Sequence, residues 1–427
     1  MSVRTAVDDV QNPDLLPQIS TRPPRRVAWR EALWIFLLSR VALFGLTVVS
    51  VSEPGPGGFQ CFDQVLDCGK KWIRFDLGYY LQVAAHGYWD PKMPIDYLPN
   101  GQRTGYPEAV AFFPLWPKLV GWVSIPFGQT YYHAFYVGLV LANLLALVTF
   151  WLLYRLVAER FDDQTARWAV FFLAFNPFTV TFAAGYGEAL FIPLTIAVFL
   201  FVRKEQWLFA GLAGAALTLT KPNGILVMIV FAVVLVQRFG WGGLFTRDQL
   251  AAKLKIVGSA AMVPLGLLSY IAFLWIKYDD PFAFSRWQTN FWGRTSQWPW
   301  QPIYQAFENV ILSPSATETA SKFNSTDSLW ELLFLFLPLV ALGLTWRKLP
   351  LEYVLFGFAI FAMTISVPTG PEEPLASIGR HLGGTFPVAV AYAVLSKKAR
   401  WQQLLLVVTL AFFGLFTAYY AVGRWMA

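Results

Sequence analysis

The chain has 427 residues, of which 56% are hydrophobic and 14% charged, with 33 Lys and Arg against 26 Asp and Glu. That balance excludes a soluble enzyme; apolar runs separated by short basic turns mark a polytopic helical membrane protein. The net charge of +7 then calls for no nucleic acid, because Lys and Arg in excess record the loops kept in the cytoplasm.

Residues 1–31 are polar, include Pro23, Pro24, Arg25 and Arg26, and read as a disordered cytoplasmic tail rather than a signal peptide. Residues 32–427 read as one membrane domain. Its first span, 32–51, carries Arg40 well inside, which is costly unless the side chain meets a partner or snorkels to the interface, and snorkelling is the expected resolution. A long polar loop, 52–132, follows and is expected outside. Cys61 and Cys68 lie close together in it; two thiols with no nearby His argue against a metal site, and an oxidising exterior would let them pair.

In the same loop, Arg74 to Tyr80 and then His86-Gly87-Tyr88 concentrate charge and aromatics. On a helix, steps of about 100° put Leu77, Leu81, Ala84 and Tyr88 on one stripe. Asp76, Tyr80 and Val83 share an adjoining face, with Tyr79 and His86 at its edge. Such a helix lies in the membrane plane and aims its one acid along the surface. The plainer reading is an amphipathic loop helix whose Asp76 faces water. The apolar stretch 109–127 is broken by Pro114, Pro117, Pro126 and Lys118, and reads as re-entrant or interfacial.

Ten further spans are expected at 133–154, 167–184, 188–202, 207–220, 223–237, 256–276, 329–345, 351–368, 381–396 and 401–422. With the N-terminus inside, every cytoplasmic turn is then basic and the C-terminus lies outside. Outside lie Asp76, Glu108, Tyr186-Gly187-Glu188, Lys221-Pro222-Asn223-Gly224, the loop 277–328, and Arg380-His381. The spans 188–202 and 207–220 are short, about 21 Å against the roughly 30 Å of a bilayer core. Their outer ends, with Glu188 and Lys221, are therefore expected below the headgroups in a polar cavity. A Lys at that depth suits a lipid phosphate; the alternative is a structural ion pair with Glu188. Arg380-His381 either joins a phosphate clamp or neutralises Glu372 and Glu373. Arg286, Trp287, Trp292, Arg294, Trp298 and Trp300 of the long loop suit an interfacial belt or a sugar-phosphate headgroup. Nothing reads as a nucleotide-binding Gly loop, a nucleophile elbow or a metal-ligand cluster, so neither cofactor nor metal is expected.

Taken in order, several of these pieces resemble the PIG-V-type mannosyltransferases, which add the second mannose during glycosylphosphatidylinositol anchor synthesis and have bacterial relatives. They are Phe75-Asp76 with Tyr79-Tyr80 and His86-Gly87-Tyr88, Glu108 with Ala111-Phe112-Phe113-Pro114, and Asn176-Pro177. Tyr186-Gly187-Glu188-Ala189-Leu190-Phe191 and Lys221-Pro222-Asn223-Gly224 complete the set. Lys221 stands where the family often has Arg, and Gly187 where it often has Ser or Thr.

The resemblance implies an all-α, GT-C-type glycosyltransferase with about eleven transmembrane helices and in-plane helices in the first external loop. It implies a polyprenyl-phosphate sugar as donor; with the loop charges, a lipid or protein acceptor is expected on the extracytoplasmic side, in a bacterial plasma membrane rather than the endoplasmic reticulum. A hexose, mannose by the resemblance, would be transferred with inversion and without metal. Asp76 would be the general base, and Lys221, Arg380 and Arg286 would hold the donor phosphate. Glu108, Glu188, Tyr79, Tyr80, His86, Asn223 and His381 would bind sugar or acceptor. The rival reading is a lipid or sugar-lipid transporter without transferase activity, which needs polar lining on both membrane faces.

Overall fold

The computed structural model describes residues 25–51, 70–92, 105–312, 325–370 and 374–424. Cys61, Cys68, Glu372, Glu373 and most of the expected tail lie outside the described residues. Helix follows apolarity along the chain. The first span, α1 (Arg25–Val51), begins within the segment read as tail. Two short helices follow, α2 (Asp76–His86) and α3 (Leu115–Ser124), where in-plane elements were expected. At ten residues, or about 15 Å, α3 is too short to cross a bilayer.

Then come α4 (Tyr131–Ala158), α5 (Asp163–Ala174), α6 (Thr179–Ala184), α7 (Glu188–Arg203), α8 (Trp207–Thr220), α9 (Met228–Gly243) and α10 (Leu250–Tyr278). The long loop folds into two amphipathic helices, α11 (Ala283–Trp292) and α12 (Trp300–Leu312). The chain closes with α13 (Ser325–Thr345), α14 (Leu351–Ile365), α15 (Ile378–Gly383), α16 (Phe386–Leu395) and α17 (Ala399–Ala421). No strand occurs among the described residues, so the protein is an all-α polytopic membrane protein. Six helical stretches among them are long and apolar enough to cross a membrane, at 27–51, 131–158, 222–243, 250–278, 328–345 and 399–421. Helices α8, α14 and α16 are apolar but shorter.

Two expected spans are broken. The run 167–184 divides into α5 and α6 because Pro177 offers no N–H to continue the ladder, while Asn176 Oδ1 accepts from the Phe178 N–H at 2.8 Å. The run 381–396 starts only at Phe386, with Pro387 in the first turn, and His381 sits on the separate helix α15. Arg40 does not snorkel. It is buried between α1 and α4, its guanidinium 5.2 Å from the Phe36 ring and 5.6 Å from the Phe150 ring. Helix packing leaves the side chain no route outward, and the two aromatic faces supply the cation's partners.

The basic turns meet at one end of the bundle. Arg203 donates to the Glu159 carbonyl at 2.7 Å, Arg238 pairs with Glu205 at 2.8 Å, and Lys397 pairs with Asp162 at 2.7 Å. The opposite ends of α7 and α8 carry Glu188 and Lys221. Near that end α2 lies against α3 so closely that a Cβ at Gly121 would stand 2.5 Å from the Ala84 carbonyl oxygen. Both stripes of α2 are buried, Leu77, Leu81 and Ala84 along with Tyr80 and Val83, so it is wedged within the protein rather than floating on one apolar face.

Candidate active site

Helix α2 starts at Asp76, immediately after Phe75, whose φ of 51° and ψ of −133° are strained for a residue with a Cβ. A carboxylate in the first helical turn also gains from the exposed N–H groups there. Asp76 Oδ2 accepts from Arg380 Nη2 at 2.7 Å, which overturns the reading of an acid facing water. Arg380 belongs to α15, which is entered through Ser377 at φ 71°. Burial by itself would lower the Arg380 pKa; the Asp76 and Glu188 carboxylates outweigh it and hold the guanidinium above its ordinary value.

The second ion pair joins the outer ends of the two short helices. Lys221 Nζ donates to Glu188 Oε1 at 2.6 Å, with side-chain exposures of 14% and 6%. Burial, opposed by Glu188 and reinforced by Arg380, brings Lys221 below the usual lysine range. Glu188 Oε2 and Asn223 Oδ1 are both buried without a hydrogen-bond partner. Tyr80 lies above Gly187, and a Cβ at that glycine would stand 2.7 Å from Tyr80 Oη and 3.3 Å from Lys221 Cε. The Tyr80 ring thus occupies the space that Ser or Thr would need at position 187. Burial first, then the Glu188 and Asp76 carboxylates, raise the Tyr80 pKa well above 10, so the phenol stays a donor.

One cavity of about 690 Å³ brings together Asp76, Tyr79, Tyr80, Lys221, Asn223, Arg294, Arg380 and His381. Its aromatic wall has Tyr79 stacked on Phe112 at 5.0 Å, with Trp292 edge-on to each at 5.7 and 5.6 Å. His381 is kept neutral, because burial and then Lys221, Arg380 and Arg294 press its pKa well below the usual histidine value. Lys221, Arg294 and Arg380 face the carboxylates of Asp76 and Glu188, so the site carries one positive charge in excess. Among the described residues, no three His, Cys, Asp or Glu side chains gather closely enough to hold a metal ion.

Three expected site residues lie elsewhere. Arg286 is on the far side of α11 from Phe284, Ser285, Gln288 and Trp292, which line the cavity, and it pairs with Asp280 at 2.8 Å. Glu108 is buried in the 3₁₀ turn Pro107–Ala111 and does not line the cavity. His86 is exposed at the last residue of α2, about 15 Å along the helix from Asp76. Tyr88, from the same motif, is structural: its hydroxyl donates to the Phe112 carbonyl at 2.6 Å, and Tyr270 likewise holds the Val110 carbonyl at 2.7 Å.

The cation that the sequence did not single out is Arg294. It follows Gly293, whose φ of 66° ends α11 and turns the chain toward the site. Arg294 Nη1 reaches the Val367 carbonyl at 3.4 Å while Nε is buried without a hydrogen-bond partner. Burial and then the neighbouring Arg380 bring its pKa down to about 10. Its Trp-rich context was the only available signal, and Arg286 shared it.

Residues 132–266 match the dolichyl-phosphate-mannose-protein mannosyltransferase family. That range contains Glu188, Lys221 and Asn223 but neither Asp76 nor Arg380. GPI mannosyltransferase 2 of Drosophila pseudoobscura pseudoobscura is 28% identical over 185 residues, 40% of this chain and 37% of that protein. The Drosophila melanogaster counterpart is 30% identical over 178 residues, 38% of each chain. The matched part thus spans well under half the length of these relatives. Among solved structures, ArnT from Cupriavidus metallidurans in the apo state overlays with a TM-score of 0.47 at 13% identity, over 91% of this chain and 74% of that one. The Archaeoglobus fulgidus oligosaccharyltransferase in the apo form gives 0.46 at 12% identity, over 93% and 56%. By sequence this chain is similar to GPI mannosyltransferase 2 and, over residues 132–266, to the dolichyl-phosphate-mannose-protein mannosyltransferases.

Proposed function

We propose that the protein is a glycosyltransferase that moves a hexose, mannose on the sequence similarity, from a polyprenyl phosphate to a lipid or protein hydroxyl. One observation carries this reading. A single cavity holds a carboxylate at a helix start, an aromatic wall, and three cations that outnumber Asp76 and the adjoining Glu188 by one charge. The spare charge suits the phosphate of a lipid-linked sugar, and Arg294, with an unpartnered N–H aimed into a buried setting, is its first ligand. Arg380 is the second, bridging phosphate and Asp76. The relatives' names support mannose as the sugar.

In the reaction, the acceptor oxygen forms a bond to the sugar's anomeric carbon as the bond from that carbon to phosphate oxygen breaks. The acceptor's proton passes to Asp76 Oδ1, and the electron pair leaves on the polyprenyl phosphate, where Arg294 and Arg380 meet the growing charge. Attack opposite the leaving phosphate inverts the anomeric centre. No acid is needed for departure, since phosphate leaves as a stabilised anion. The site lies at the ends of α7 and α8 remote from the basic turns, which supports an extracytoplasmic active site. Purified protein supplied with polyprenyl-phosphate mannose should transfer mannose to membrane lipid or protein, and mass spectrometry of membrane glycolipids should lose one hexose when the protein is absent. Donor bound or moved across vesicles with no sugar transferred would return the protein to the transporter reading.

A further inference from the structure

The strained entry to α2 has to be fixed by its surroundings, since a left-handed residue with a side chain does not hold itself. Two buried tyrosines from distant parts of the chain do this. Tyr420, near the end of α17, donates its hydroxyl to the Trp72 carbonyl at 2.9 Å across 348 residues. Tyr186, in the turn before α7, donates to the Arg74 carbonyl at 2.9 Å, and the two hydroxyl oxygens are 3.0 Å apart. Both residues are buried, at 0% and 3% exposure, and neither lines the cavity. The Arg74 carbonyl also accepts from the Leu77 N–H at 3.1 Å, so the first turn of α2 and the tyrosine share an acceptor. On the other side of Tyr186, the Arg380 guanidinium stands 6.0 Å from the centre of its ring.

We infer that Tyr186 and Tyr420 are positioning residues that hold the entry of α2, and through it set the Asp76 carboxylate against Arg380; the catalytic part of this inference rests on the transferase reading. The last spanning helix and the turn at 186 thereby place the first residue of a helix that neither follows in sequence. One hydrogen per hydroxyl serves three contacts, so both carbonyls are held only while the oxygen–oxygen contact carries none. Loss of one hydroxyl leaves the other free to hold its own carbonyl. The two Phe variants should therefore act mildly alone and strongly together.

The test is Tyr186→Phe, Tyr420→Phe and the double variant, which keep both rings in place. In the double variant, amide hydrogen exchange at Leu77 and Gly78 should quicken by about tenfold, as for the loss of one or two net hydrogen bonds, with the spanning helices unchanged. Transfer should lose about tenfold in kcat with donor KM within twofold, and the loss should vanish in an Asp76→Asn background. Unchanged exchange at Leu77 and Gly78, or a rise spread evenly over the fold, overturns the clamp. So does a kinetic loss that persists without Asp76. If the double variant fails to fold, Tyr420→Phe alone is read the same way with a smaller shift. Should the wild-type protein transfer no sugar at all, the transferase reading falls while the exchange measurement still decides the clamp.

Discussion

The site contains two ion pairs of nearly equal length, Lys221–Glu188 at 2.6 Å and Arg380–Asp76 at 2.7 Å, built on different supports. Glu188 and Lys221 sit at the ends of α7 and α8, helices of sixteen and fourteen residues packed inside the bundle. Asp76 and Arg380 sit on short helices, each entered through a left-handed residue, Phe75 or Ser377. Exposure separates them as well: Glu188 is 6% exposed and Asp76 20%. A carboxylate sealed beneath its cation is an internal counter-charge. One that keeps an open side toward a cavity is placed for a substrate, and the strained backbone around it is the cost of aiming it. On the transferase reading, similar chemistry at similar distance does different work, decided by what the helix ends are packed against.

The comparison breaks most sharply at Asp76. Asp76→Asn keeps the shape of the side chain and removes its proton acceptor, so transfer should fall by about 10²–10⁴. Donor binding should persist, because Arg294, Arg380 and Lys221 remain; a transfer assay beside donor binding on the same purified variant checks this. Near wild-type transfer would make Asp76 a partner of Arg380 and nothing more. Lys221→Ala should act on stability instead. It strands Glu188 as a buried, unpaired charge, for which about 3–5 kcal/mol of destabilisation is expected. Melting in detergent should show the loss, and Lys221→Ala with Glu188→Gln should recover most of it. If that double variant also regains transfer, Lys221 has no direct part in holding phosphate.

Much of this was legible in the sequence. Apolar runs marked where the helices fall, since bilayer thickness acts on local composition, although only six of the eleven expected spans are, among the described residues, long and apolar enough to cross a membrane. A helix in the 76–86 stretch and the burial of Glu188 beside Lys221 at the ends of two short helices also followed from local spacing. Arg40 was misread because snorkelling depends on which neighbour covers the side chain, and nothing near residue 40 in sequence specifies Phe150. Asp76 with Arg380, and Tyr420 with Trp72, are contacts across some three hundred residues or more, to which no local period points. The Lys221–Glu188 pair is the alternative that the two short spans suggest, and the 2.6 Å distance shows that it forms, whereas a part for Lys221 in holding phosphate is left to the double variant. Choosing among the loop arginines needed the direction of α11.

That last choice gives the two smallest effects, and they are best measured side by side. Arg294 lies in the cavity with a buried unpartnered Nε, so it enters a phosphate contact without first giving up a carboxylate. Charge-assisted hydrogen bonds of that kind contribute about 1.5–3 kcal/mol, so Arg294→Ala should raise donor KM by roughly ten- to a hundredfold. Arg286, six residues from its partner Asp280, has a side chain 65% exposed and turned away from the cavity. Exposed pairs contribute about 0–1 kcal/mol and only to the local fold, so Arg286→Ala should leave donor KM within about twofold and melting nearly unmoved. Salt sharpens the contrast. Raising ionic strength weakens exposed charge pairs such as Arg286–Asp280, while Arg294 is shielded by the protein around it. The KM ratio between Arg294→Ala and wild type should therefore survive added salt. A tenfold KM rise in Arg286→Ala with none in Arg294→Ala would reverse the assignment, and with it the direction from which the donor phosphate enters the site.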